Sequence, residues 1–145
     1  MYLVDTTILS ATDPTKKVTD VDLIYWMSAA SSHLYLSAVT ASEVVAGIAK
    51  VRRVGASRKA DSLSRWWTVV EELYGDRILS FDLGVARIAG VITDHARGFD
   101  VGFGDIAIAA TAKAHGLTVL TANEADFSPL GVPFLNPLKS LPALP

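Results

Sequence analysis

The sequence predicts an α/β fold: one domain with a central, mostly parallel sheet of four to five strands flanked by helices. Short, wholly apolar runs alternate with longer stretches of helical period, the order expected of βαβ units. The apolar runs Tyr2–Val4 and Leu117–Leu120 show no polar alternation, so both faces of their strands are covered. The 145 residues are 50% hydrophobic and 19% charged, enough for a full core, and no repeat, low-complexity tract or linker divides them. Residues 1–145 therefore read as one domain, with about 136–145 as a C-terminal extension carrying Pro137, Pro142 and Pro145.

In chain order, 2–4 form a buried first strand. Residues 19–31 carry Val21, Leu23, Ile24, Trp26 and Met27 at helical spacing, with Asp20 and Asp22 suited to the helix start. Residues 33–37 form a second strand, 40–53 and 57–74 two helices, the latter stopped at Gly75, and 77–81 a short strand. A helix over 82–97 ends at Gly98. An alanine-rich helix over 104–115 is stopped by Gly116, a buried strand follows at 117–120, and 132–135 supply a last strand before Pro137.

Composition removes several functions. The chain has no cysteine, which excludes disulfides, thiolate metal sites and cysteine nucleophiles. Asp5 breaks the first apolar run, so no signal peptide is expected, and the most apolar later window contains Lys113, His115 and Gly116, too interrupted to span a bilayer. A soluble cytoplasmic protein without membrane contact is expected. The net charge of −2 gives no overall attraction for nucleic acid. Lys50, Arg52, Arg53, Arg58, Lys59 and Arg65 nonetheless cluster in one stretch. They suit either a phosphate track or a solvated helical face, and charge alone favours the latter.

The chemistry is concentrated where apolar strands give way to helices. Asp5, Glu43, Asp105 and the pair Asn123/Asp126 all stand at such junctions. In an open parallel sheet the carboxyl ends of the strands form the ligand crevice. Carboxylates brought together there repel and protonate unless a cation separates them. An oxygen-only set suits Mg²⁺ or Mn²⁺, pointing to metal-dependent phosphoryl transfer or hydrolysis. Each residue also has a structural reading. Thr40-Ala41-Ser42-Glu43 has the form of a capping box, Asp105 complements a helix dipole, and Asn123 suits an N-cap with Asp126 at its N3 position. The three histidines, His33, His95 and His115, have no metal-ligand spacing.

Four fragments together resemble the PIN-domain ribonucleases, and within them the VapC-type toxins of toxin–antitoxin pairs. They are Leu3-Val4-Asp5-Thr6-Thr7-Ile8-Leu9-Ser10, Ser37-Ala38-Val39-Thr40-Ala41-Ser42-Glu43-Val44 with Gly47, Phe103-Gly104-Asp105-Ile106-Ala107 with Gly116-Leu117-Thr118, and Thr121-Ala122-Asn123-Glu124-Ala125-Asp126-Phe127 followed by Gly131-Val132-Pro133. The resemblance covers nearly the whole chain. It implies a type II toxin: an endoribonuclease that hydrolyses RNA phosphodiesters and arrests growth unless neutralised by a small cognate antitoxin. It implies that Asp5, Glu43 and Asp105 are catalytic and hold Mg²⁺ or Mn²⁺, with Asn123 or Asp126 near a fourth position. Thr6 and Thr121 are then positioned to bond a carboxylate or phosphate. Thr7 stands where asparagine is common, and Asn123 supplies an amide where many relatives have an acid.

The same resemblance implies a homodimer and an antitoxin tail seated between the Glu43 helix and the helix of Leu63, Trp66, Trp67, Val69 and Val70. Lys50, Arg52 and Arg53 are candidate RNA contacts. Two rivals remain: a housekeeping RNA-processing nuclease of the same fold, and a PIN-like binding module with weak catalysis, to which Thr7 and Asn123 lend support. A phosphatase of the haloacid-dehalogenase type requires a second aspartate two positions after the first, and Thr7 occupies that place.

Overall fold

A computed structural model describes residues 1–145. Five parallel strands, β1 (Tyr2–Val4), β2 (Leu34–Ser37), β3 (Ile78–Leu79), β4 (Thr118–Leu120) and β5 (Phe134–Leu135), lie in the order β3-β2-β1-β4-β5. The strand order reverses at β1: the chain first builds outward through β2 to β3, then returns to add β4 and β5 on the other side. The switch point between β1 and β4 opens a crevice at the carboxyl ends of these strands.

The helices are α1 (Thr6–Leu9), α2 (Val21–Ala29), α3 (Ala38–Arg53), α4 (Ser57–Tyr74), α5 (Leu83–His95), α6 (Phe103–His115) and α7 (Glu124–Phe127). Successive strand residues point to opposite faces, and β1 shows the result. Leu3 joins a core with Val85, Ala89 and Ile92 of α5, Ile108 and Ala112 of α6, and Phe127 of α7. Its neighbour Val4 joins a second core with Leu23 and Trp26 of α2, Val44 of α3, and Trp67 and Val70 of α4. The sheet is thus covered on both sides, which explains why its strands read as unbroken apolar runs.

Element boundaries depart from expectation where local chemistry competes. The α2 helix begins at Val21 because Asp20 is its N-cap, accepting from the Leu23 amide at 2.9 Å. Likewise Asp82 caps α5, accepting from the Val85 amide at 2.9 Å. The third strand is reduced to Ile78–Leu79, at the sheet edge. Gly116, at φ 64°, closes α6 in the left-handed conformation that glycine adopts without a Cβ penalty.

The largest correction concerns α3. Its first residue is Ala38 rather than residue 40, and its N-cap is Ser37, whose Oγ accepts from the Val39 amide at 3.1 Å. Thr40 is therefore inside the first turn with a buried hydroxyl that makes no hydrogen bond. The expected Thr40–Glu43 capping box does not form. Glu43 is left free of a capping duty.

Candidate active site

Asp5 follows β1 directly and is almost fully buried, with 2% of its surface exposed. It occupies the N-cap position of α1, yet its side chain caps nothing. Instead Asp5 Oδ2 accepts two hydroxyl hydrogen bonds, from Thr7 Oγ1 at 2.7 Å and Thr121 Oγ1 at 2.8 Å. The Asp5 amide donates to the Leu120 carbonyl at 2.9 Å, so the ends of β1 and β4 fasten this residue from both sides. Thr7 Oγ1 also accepts from the Ala122 amide at 3.1 Å, and Thr121 Oγ1 accepts from the Asn123 amide at 3.0 Å. Both threonines are oriented by backbone and pass that orientation to one carboxylate oxygen. The other oxygen, Oδ1, makes no bond to protein.

The remaining acids come from three other elements. Glu43 projects from the second turn of α3, Asp105 from the first turn of α6, and Asp126 from α7. Asp5, Glu43, Asp105 and Asn123 line one cleft of about 530 Å³ with Thr6, Thr7, Ser10 and Lys16. No apolar side chain lines it. Asn123 stands at the N-cap position of α7 without capping it; its Nδ2 donates to Asp126 Oδ2 at 2.5 Å. Asp126 does not line the cleft, but its carboxylate interacts with Asp105. Of the two residues expected near a fourth position, Asn123 therefore lines the cleft and Asp126 reaches it only through its contacts with Asn123 and Asp105.

Gly104 makes room for this arrangement. A Cβ at that position would lie 2.7 Å from Glu43 Oε1, so any side chain there displaces the glutamate. Thr6 is near enough to favour the ionised form of Glu43, although its buried hydroxyl makes no bond of normal geometry. Thr6 thus borders Glu43, while Thr121 directly holds Asp5. Thr7, first noted as a departure from the common asparagine, performs the same task as Thr121.

Electrostatics mark the cluster. Burial, followed by repulsion from Asp5, Asp126 and Glu43, pushes the Asp105 carboxyl up to about 6. Burial raises Glu43 as well, opposed by Thr6 and reinforced by the charge of Asp5. No three of the acids are drawn to ligand spacing about one point. They share a cleft as mutually repelling charges. An all-oxygen set in which burial and acidic neighbours raise the proton affinity of Asp105 and Glu43 fits a hard divalent cation, the partner that relieves such repulsion.

One groove adjoins the cleft, and a second adjoins that groove at Trp66. The first, about 220 Å³, runs between α3 and α4, shares Thr6, Ser10 and Glu43 with the cleft, and continues past Gly47, Leu63 and Trp66 to Lys59. The second, about 280 Å³ and mainly apolar, lies between α2 and α4 and is lined by Ile24, Met27, Trp66, Val69, Val70 and Leu73 among others. Trp66 borders both. Of the expected partner contacts, Trp67 faces the core, because adjacent residues on a helix cannot share a face. Leu63 and Val70 are also buried, and each presents only an edge to a different groove. Lys50, Arg52 and Arg53 occupy the last turn of α3 and line neither cleft nor groove; Arg52 pairs with Asp61 at 2.9 Å. Lys16 went unnoticed in the sequence because it sits on a loop without periodicity, while Ser10 and Lys59 stood out there only as parts of the opening fragment and of the basic stretch.

Comparison with known proteins places this geometry in context. The PIN domain family model matches residues 2–131. Toxin FitB of Neisseria gonorrhoeae is 33% identical over 140 residues, covering 94% of this chain and 98% of that protein. VapC ribonuclease Y4jK of Sinorhizobium fredii is 31% identical over 140 residues, covering 94% and 97%. Among solved structures, the crystal structure of FitAcB from Neisseria gonorrhoeae superposes with a TM-score of 0.83 at 32% identity, covering 95% of this chain and 99% of that one.

Two outcomes follow. Gly104→Ala should leave stability within about 1 kcal/mol of wild type, since alanine favours the helix, but weaken divalent binding by displacing Glu43. Urea unfolding and calorimetry read the two separately, and unchanged divalent affinity would remove Glu43 from the site. The second concerns pH. Asp105 holds its proton more tightly folded than unfolded, so chelated protein should gain stability on acidification through about 6 towards the ordinary carboxylate range, losing that gain as pH rises again. Divalent affinity should fall over the same acid window, as protons compete for the site. Affinity independent of pH between 5 and 7 would contradict the assignment.

Proposed function

This chain belongs to the PIN-domain family, and we propose that it is the toxin of a type II toxin–antitoxin pair, a divalent-metal-dependent endoribonuclease. The observation that carries the catalytic part is the cleft itself. Carboxylates from the residue after β1, from α3 and from α6 line one cleft, and the most buried of them is aimed by two threonines. The toxin part rests on relatives whose names are Toxin FitB and VapC ribonuclease Y4jK, matched over nearly their full lengths.

Asp5, Glu43 and Asp105 are the proposed ligands of Mg²⁺ or Mn²⁺, with Asn123 and Asp126 at the fourth position. When bound, the cation supplies Lewis acidity and makes water a competent nucleophile near neutral pH. Thr7 and Thr121 keep Oδ2 of Asp5 occupied, so Oδ1 is the oxygen presented to the cleft. One of the cleft carboxylates accepts a proton from the attacking water, and Asp105, in the first turn of α6, is a candidate by its place in the cleft. Hydrolysis of an RNA phosphodiester by water so activated needs no covalent enzyme intermediate.

The cognate antitoxin is proposed to anchor beside Trp66, which is partly exposed and joins the groove of α3–α4 to the apolar groove of α2–α4. An antitoxin tail passing there reaches Glu43 and blocks the cleft. A homodimer is proposed through apolar residues left exposed on α5 and α6, including Leu83, Val91 and Phe103. Lys50 and Arg53 at the exposed end of α3 remain proposed outer contacts for the RNA backbone. No helix is long and apolar enough to cross a membrane, and cytoplasmic action on cellular RNA is the proposed setting.

Expression of the wild-type chain without antitoxin should arrest growth and generate new RNA ends. Asp105→Asn should abolish both, lowering metal-dependent cleavage at least about a hundred-fold, while its melting curve stays cooperative. Full cleavage by this variant would show that the cleft is not the catalytic centre.

A further inference from the structure

Lys16 is the one basic residue lining the acid cleft. Its backbone sits in a short turn after α1 that the sequence itself fastens. Asp13 Oδ1 accepts from the Thr15 amide at 2.7 Å and from Thr15 Oγ1 at 2.8 Å, while the Lys16 amide donates to the Asp13 carbonyl at 3.2 Å. Just before it, Thr12 Oγ1 donates to the Leu9 carbonyl at 2.7 Å. The lysine stem therefore rises from a fixed base.

Its ammonium is uncommitted. The ion pairs of the chain are Arg52–Asp61, Arg97–Asp94 and Lys139–Glu124, none of them in the cleft. Asp13, the acid nearest in sequence, is engaged by Thr15. An ammonium beside several carboxylates that forms no pair with them is available for an incoming anion. It offers three donors on a flexible stem, the form of cation that suits a phosphate as a point charge.

We propose that Lys16 binds a nonbridging oxygen of the RNA phosphate that enters the cleft, offsetting the repulsion between that phosphate and the carboxylates. This rests on the ribonuclease reading of the site, and it assigns the inner phosphate contact to Lys16 instead of the basic end of α3. Phosphate binding and internal charge balance make different demands. A phosphate contact sets RNA affinity and its salt dependence. Charge balance sets only how tightly the acids hold a cation.

The test compares wild type, Lys16→Ala and Lys16→Arg, using a fluorescent single-stranded RNA oligonucleotide with Ca²⁺ replacing Mg²⁺, across a salt series. Lys16→Ala should weaken RNA binding about ten-fold and flatten the slope of log K against log salt by about 0.7, the value for one phosphate contact on a single strand. In Mg²⁺ it should raise KM more than it lowers kcat, and Lys16→Arg should restore most of the affinity. Unchanged RNA affinity and slope in Lys16→Ala would overturn the proposal. So would unchanged RNA affinity accompanied by tighter Mg²⁺ binding in calorimetry, the mark of charge balance alone. Wild-type protein that neither binds nor cuts RNA would instead sink the ribonuclease reading, and the Lys16 assignment with it.

Discussion

Burying Asp5 is the constraint on which the rest of this site depends. A lone carboxylate withdrawn from water is costly unless hydrogen bonds and opposite charge replace its hydration. Here two threonine hydroxyls, from either side of the β1–β4 junction, satisfy one oxygen. Hydrogen bonds to a charged group contribute about 1.5–3 kcal/mol each, enough to hold its orientation but not to discharge the neighbouring repulsion. What remains is a crowded set of acids, and the proton affinity of Asp105 is raised first by its burial and then by its acidic neighbours, Asp5 foremost. Sheet order, threonine placement and the missing side chain at Gly104 all serve this one concentration of charge.

Much of that was legible in the sequence because parallel-sheet topology converts position into proximity. Asp5 and Asn123 were recognisable as residues closely following apolar strands, whereas Asp105 follows the loop between α5 and α6 with no strand before it and Glu43 lies a turn inside α3. Helix packing on the sheet brings all four to one cleft. What misled was local chemistry with two readings. Thr40-Ala41-Ser42-Glu43 has the form of a capping box, but Ser37 caps the helix first and starts it earlier. Asn123 has an N-cap's position, yet its amide prefers the Asp126 carboxylate. Thr7 looked like a departure from asparagine, and its bond to Asp5 forms only in the folded chain.

Other features were not legible because they depend on side-chain direction. Trp66 and Trp67 are adjacent in sequence, but one turns into the core and the other borders two grooves. Lys16 lies on a loop with no periodicity to read, and its place in the cleft emerges only when the turn at Asp13 is folded. Under the proposed function, substrate and inhibitor would share one surface. The groove past Trp66 shares Thr6, Ser10 and Glu43 with the acid cleft, so a chain lodged there would cover part of that cleft.

The most direct test of the account is an anomalous difference map from crystals soaked in Mn²⁺. One strong peak in the cleft, within coordination distance of Asp5 Oδ1 and of carboxylate oxygens from Glu43 and Asp105, is the predicted result. A map with no peak there at saturating Mn²⁺, or with manganese held only by residues outside the cleft, would contradict it.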